Sequence, residues 1–256
     1  NPTGKLKKIG KVSNRRGTSV TFHPDPKIFD LKAQFRPSTL YRMVRSKAYL
    51  FRGVYIRWNC DTELISKNDI TPEKATLHFP GGLMDYLATI LEDRVTITPN
   101  AFFGQAKLNG GSGSIEWAVA WPKDEDFLFN SYCNTVPTPL GGTHEAGLRS
   151  ALTRGLRAYG ELINNKPASK IMADDAVGSA CVMLSVFFPN PQFQGQTKEK
   201  LTTVEAAKLV DTSVGDYFDH WLSGDPGTAN LLLEHVIERS LIRLKKRQEK
   251  SLKRQS

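Results

Sequence analysis

From Ala180 to Phe188 the chain is apolar at every position except Ser185. A run of that length, stopped by Pro189, reads as a buried strand, and the rest of the fold has to cover it. It leads into a Pro- and Gly-rich connection, Pro189 to Gly195, and then to a helix announced by Thr202-x-x-Glu205, the pattern of a capping box. The polar triplet Gln196-Thr197-Lys198 therefore lies between two rigid elements. In an extended backbone residues i and i+2 project the same way. On that geometry the Gln196 amide and the Lys198 ammonium converge on one anionic group, a phosphate clamp without a glycine-rich cradle.

Upstream, Ser19 to Phe22 alternates apolar and hydroxyl side chains and predicts a half-buried antiparallel strand, ended by His23-Pro24-Asp25-Pro26. Ser38 or Thr39 is placed to cap a helix running to Leu50. Val54 to Cys60 reads as a strand, Asp61 to Lys74 as a hairpin or insertion loop, and Ala75 to Phe79 as the returning strand. Gly81-Gly82 opens a helix with Leu83, Leu87 and Ile90/Leu91 on one face. Thr98-Pro99-Asn100 is turn-forming punctuation and marks a domain boundary, dividing the chain into 1–100 and 101–256.

Beyond it, residues 102–108 and 115–121 form a hairpin about Asn109-Gly110, and residues 129–136 form a third strand. Thr143 caps a helix whose inward face is Leu148, Leu152, Gly155/Leu156, Tyr159 and Leu162/Ile163. After the buried strand, 204–222 is a helix facing inward through Ala207, Val210, Val214, Tyr217/Phe218 and Trp221. A last helix begins at Thr228 and packs through Leu232/Leu233, Val236/Ile237, Ser240/Leu241 and Leu244. Strands followed by helix, strand and helices make an α+β architecture rather than repeated βαβ units.

No stretch approaches the ~18 apolar residues of a membrane span. Cys60, Cys133 and Cys181 are odd in number, far apart and set among apolar residues, so they read as reduced core thiols. The net charge of +9 is unevenly spread: from Arg243 to Ser256 there are seven Lys/Arg against one Glu. That tail is either a solvated extension or a surface for a polyanion. His144-Glu145 invites a metal or acid–base reading, but no second histidine follows at i+4. Gly110-Gly-Ser-Gly113 is not followed by Gly-Lys-Ser/Thr, so it is no phosphate-binding P-loop.

Gly17-Thr-Ser-Val-Thr-Phe-His-Pro-Asp25, Gly141-Gly-Thr-His-Glu-Ala-Gly147 and Phe193-Gln-Gly-Gln-Thr-Lys-Glu-Lys-Leu201 occur in the order found in the ATP-binding (ParE/GyrB-type) chains of bacterial type IIA topoisomerases, which the chain resembles over its whole length. The wording of the last motif is more similar to the topoisomerase IV branch than to the gyrase branch. The resemblance implies that residues 1–100 are the C-terminal part of a GHKL-type ATPase sandwich. It makes 101–256 a transducer like domain 2 of ribosomal protein S5, ending in a long basic helix. It also implies that the start of the ATPase domain, with its general-base glutamate and magnesium-binding asparagine, lies outside this sequence, so that this piece alone hydrolyses no ATP. Thr18 would hold the adenine end of ATP, and Gln196 and Lys198 would touch the γ-phosphate, with Lys200 a lesser candidate. Arg243, Lys245, Lys246, Arg247 and Lys250 would contact DNA. ATP and Mg2+ are the implied cofactors. DNA, a ParC-type partner in an A2B2 holoenzyme and a second copy of the ATP-binding chain are the implied partners, in a cytoplasmic, nucleoid-associated isomerase that couples ATP hydrolysis to DNA strand passage. The alternatives are the gyrase counterpart, more remotely a mismatch-repair ATPase, and a stand-alone nucleic-acid-binding module with an S5-like fold.

Overall fold

The computed structural model describes residues 4–5, 7–8, 10–11, 13–14, 16–30, 34–108 and 113–252. Helix α1 (Pro37–Leu50) precedes an antiparallel pair, β1 (Ile56–Asn59) and β2 (Lys74–Leu77), and then α2 (Leu83–Leu91). Next come β3 (Phe102–Lys107), β4 (Ser114–Ala120), β5 (Leu128–Cys133) and β6 (Val136–Pro137). Two helices follow, α3 (Thr143–Leu162) and the short α4 (Ala173–Val177), and then β7 (Cys181–Phe187). A small hairpin, β8 (Phe193–Gln194) and β9 (Lys200–Leu201), leads to α5 (Val204–Gly224) and α6 (Pro226–Leu252).

Strands β3–β7 form one sheet in the order β3-β4-β7-β5-β6, in which β7 runs parallel to β5 and antiparallel to β4. Strand β7 is thus flanked on both edges and covered on both faces, which is why its sequence is apolar almost throughout. Val182, Leu184 and Val186 face a core shared with Leu148, Leu152 and Leu156 of α3 and Val210, Val214 and Phe218 of α5. Cys181 and Met183 face the other way, toward Leu83 and Leu87 of α2. Helices α3 and α5 meet closely because Gly147 has no side chain: a Cβ there would lie 2.4 Å from the Ala207 carbonyl oxygen. The structure is α+β, as the element order predicts.

Several local expectations change. Residues 19–22 are not a strand; Val20 and Phe22 are 77% and 72% exposed, and no described strand lies alongside to take their backbone hydrogen bonds. The third expected strand breaks at Asn134-Thr135, both with left-handed φ (49° and 64°), and so becomes β5 and β6. Asn134 holds that break by donating from Nδ2 to the Phe188 carbonyl at 2.8 Å while Oδ1 accepts from the Phe188 N–H at 2.9 Å. Gly142, not Thr143, is the N-cap of α3, and the inward stripe of that helix stops at Tyr159, leaving Leu162 75% exposed. Ala206 and Leu222 face inward on α5, whereas Tyr217 is half exposed. The capping box at Thr202 does not form. Thr203 is the cap residue, and its hydroxyl instead accepts the Gln192 N–H at 2.9 Å, closing the β8–β9 hairpin. Helix α6 starts two residues earlier than expected because Asp225 accepts from the Thr228 N–H (3.1 Å) and hydroxyl (2.6 Å). The hairpin loop at 109–112 and residues 253–256 of the basic tail lie outside the described residues. The cysteines are free, as expected, but only Cys133 and Cys181 are core thiols, Cys60 being partly exposed; burial pushes the Cys133 thiol up to about 12, leaving it unreactive.

Candidate functional site

The Gln-Thr-Lys triplet forms the tip of the β8–β9 hairpin, in which Phe193 pairs with Leu201 and Gln194 with Lys200. Gly195 (φ 74°) and Lys198 (φ 58°) both take left-handed backbone, so the segment is a turn. The extended i, i+2 projection expected from the sequence is therefore not what brings Gln196 and Lys198 together. The turn does: with Phe193 and Gly195 they line one shallow depression. Both side chains are exposed, and the Lys198 ammonium lies 5.8 Å from the centroid of the Phe193 ring. Among the described residues no carboxylate pairs with Lys198, so its charge is available to an anion. Lys200 is on the return strand, outside this lining.

The hairpin is not loosely tethered. The Leu140 N–H donates to the Glu199 carbonyl and the Leu201 N–H to the Gly141 carbonyl, each at 3.0 Å, and Gly142 bridges to Leu201. Only glycine fits at 142: φ is 144°, and a Cβ would lie 2.2 Å from the Leu201 carbonyl oxygen. The return strand is thus fastened to the loop that starts α3, and the Gly141-Gly142 pair is the fastening.

Directly behind this loop lies a buried polar chain. Ser131 of β5 donates to Glu145 Oε1 at 2.6 Å and stands 2.5 Å from Thr138 Oγ1, which is 3.0 Å from His144 Nε2. Burial lowers the His144 ring to about 4, so it is neutral. Burial also raises the Glu145 carboxyl, against the Ser131 hydrogen bond and Arg149, which pull it down. His144-Glu145 is therefore an internal polar pair and not a metal site; among the described residues no group of three or more His, Cys, Asp or Glu is placed to hold a metal ion. The described residues do not supply a Mg2+ site. Ser131 and Thr138 carry no signal in the sequence, since isolated hydroxyl residues near strand ends are common.

Thr18 is exposed outside any helix or strand, and no described hydrogen bond joins it to the hairpin. The basic residues of α6 divide into two kinds. Arg243 donates to both oxygens of Asp175, from Nε at 2.8 and 3.1 Å and from Nη2 at 2.9 Å, and also to the Lys170 carbonyl at 2.9 Å. The Asp175 side chain is only 4% exposed, and the hydrogen bonds to it raise the Arg243 guanidinium further. Expected from composition to be a free cation, Arg243 is a structural clamp. Asp175 stands in the first turn of α4, where it accepts the Met172 N–H at 2.8 Å and is held ready for a cation. Lys245, Lys246, Arg247 and Lys250 are exposed, and Lys246, Arg247 and Lys250 line a cleft beside Asp174 and Glu125. Among the described residues no helix is long and apolar enough to cross a membrane.

The sequence model of the DNA gyrase B family matches residues 82–252. The chain is 49% identical to the B subunit of DNA topoisomerase 4 from Bartonella bacilliformis and 51% identical to that from Caulobacter vibrioides, in each case along 100% of its own length and 37% of the relative's. Among solved structures it is similar to the topoisomerase IV ATP-binding domain of Francisella tularensis, in complex with a small-molecule inhibitor (TM-score 0.70, 30% identity, 86% of this chain and 57% of that one). The 43K ATPase domain of Thermus thermophilus gyrase B shares the fold (TM-score 0.70, 24% identity, 90% and 59%).

Proposed function

The chain belongs to the DNA gyrase B family, and from that membership we propose that it is part of the ATP-binding chain of an ATP-dependent type II DNA topoisomerase, of the topoisomerase IV kind. In this reading residues 1–100 close an ATPase domain that also holds Thr18 near the adenine, and residues 101–256 are the transducer. The intact enzyme pairs two such chains with two ParC-type chains, dimerises the ATP-binding chains on ATP and acts on DNA in the cytoplasm.

The observation that carries the proposal is the placement of Lys198: an exposed cation with no described carboxylate partner, at the tip of a hairpin pinned to the head of α3. Bound ATP would supply the phosphoryl group and, with Mg2+ held by residues outside those described, the charge to be stabilised. Lys198 then offers a mobile point charge to a terminal phosphate, and Gln196 an amide donor. Because the hairpin is hydrogen-bonded to the sheet domain, a contact made only while that phosphate is present biases how the domain sits. In the full-length protein assembled with its ParC-type partner, Lys198→Ala should lower ATP turnover on the order of 100-fold, the usual loss for one such electrostatic contact. Unchanged turnover would refute the reading.

A further inference from the structure

Resting on the role just given to Lys198, we propose that Thr138 and His144, with Ser131 and Glu145, position the hairpin, acting through the loop at 138–142. Each hydroxyl of the buried chain has one proton to give. With Glu145 ionised, Ser131 donates to Glu145 Oε1. Ser131 Oγ must then accept from Thr138, 2.5 Å away, and Thr138 Oγ1 must in turn accept from His144 Nε2, 3.0 Å away. With that charge state the direction of each of these bonds follows, the Thr138 carbonyl at 3.2 Å being a longer second acceptor for the Ser131 hydroxyl, and His144 carries its proton on Nε2. Its Nδ1, buried without a partner, is then a bare acceptor, which is easier to leave unpaired than an orphaned N–H.

That ordered chain bears on the loop and not just on the core. The Thr138 N–H donates to the Ser131 carbonyl at 2.9 Å, and the Thr138 carbonyl accepts the Gly141 N–H at 2.8 Å, so Thr138 is held on both its backbone and its side chain. The Glu145 carboxylate presses on Gly141, where a Cβ would lie 2.8 Å from Oε2. Leu140 and Gly141 are the residues that hydrogen-bond Glu199 and Leu201, on the return strand that leads away from Lys198. From the Thr138 hydroxyl to the Lys198 backbone there is thus an unbroken path of short hydrogen bonds and covalent links. A shift at one end is carried to the other, and a misplacement on the order of 1 Å at a reacting phosphate costs up to about 100-fold in rate.

The test uses the full-length protein with its ParC-type partner and ATP turnover as readout. Thr138→Val keeps the volume and removes the hydroxyl, whereas Thr138→Ser keeps the hydroxyl. Thr138→Val should lower kcat by about tenfold with KM for ATP within about twofold, and Thr138→Ser should recover most of the loss. A Thr138→Val enzyme with kcat within about twofold of the parent overturns the proposal. Lys198→Ala is measured alongside. If it loses turnover while Thr138→Val does not, the positioning role alone has failed; if it keeps full turnover, the role of Lys198 has failed and the positioning role falls with it. Should Thr138→Val not yield soluble protein, Ser131→Ala is read the same way, and insolubility of both would overturn positioning in favour of a purely structural chain.

Discussion

Acidification should destabilise this chain at His144 above all, whose ring is fully buried with a single hydrogen bond at Nε2. An unfolded histidine takes its proton near 6.5, while burial holds the folded ring at about 4. A base depressed in this way contributes stability that is present above 6.5 and lost as pH falls toward 4, because only the unfolded chain binds the proton in between. The gap converts to about 3 kcal/mol, at least a fifth of the ~5–15 kcal/mol that holds a typical domain folded. Glu145 acts oppositely: its carboxyl is raised by burial, so its burden on the fold eases as pH falls. His235 is also depressed, chiefly by burial, and adds to the loss. The His144 share is isolated by difference, using urea denaturation of the chain and of His144→Gln at about pH 7.5 and about pH 4. Glutamine keeps a donor facing Thr138 and cannot take up a proton. The parent should lose about 3 kcal/mol more than the variant across that interval. Equal losses would show that the ring is solvated or already charged in the folded state, and the buried chain as described would be wrong.

Arg243→Gln leaves Asp175 buried and unpaired and should lower stability by about 3 kcal/mol, the low end for a broken buried pair because the guanidinium is a quarter exposed. Lys246→Gln, on the same helix, should stay within about 0.5 kcal/mol; equal effects in the two denaturation curves would remove the distinction drawn between them. Replacing Lys245, Lys246, Arg247 and Lys250 together by glutamine in the full-length protein should reduce the slope of log K against log salt for duplex DNA by about 3 to 4. An unchanged slope would make this stretch of α6 a solvated spacer.

Much of the architecture was legible because periodicity follows burial. The apolar run at 180–188 became the flanked and covered β7, and α1, α2, α3, α5 and α6 all form within a few residues of where their stripes predicted them. Helix caps were misread by one residue, at Thr203 where Thr202 was expected and at Gly142 where glycine geometry replaced the expected Thr143 cap. Residues 19–22 alternate well, yet alternation reports only a tendency, and a strand exists when a neighbour completes its hydrogen bonds. At the candidate site the triplet was visible as a polar island between rigid elements. Its turn conformation was not, because a left-handed lysine carries no mark in the sequence. The Asp175 partner of Arg243 lies 68 residues away, and a pairwise contact of that range leaves no local pattern; the Thr138 partner of His144 is only six residues away, but a lone hydroxyl before a Gly-Gly turn does not announce it.

The strand order has a consequence for synthesis. Strand β7 lies between β4 and β5 but follows both along the chain, so neither has its central neighbour until residue 187 has been made. At roughly 5–20 residues per second, the interval between completing β4 and completing β7 is roughly 3–13 s. Throughout it the β3–β4 hairpin carries an open inner edge and the apolar faces of Ile115, Trp117 and Val119 on the nascent chain. Crowded polysomes making this protein would hold many such edges at once, each matched in register to a β7 still to come and equally able to pair with its counterpart on a neighbouring chain.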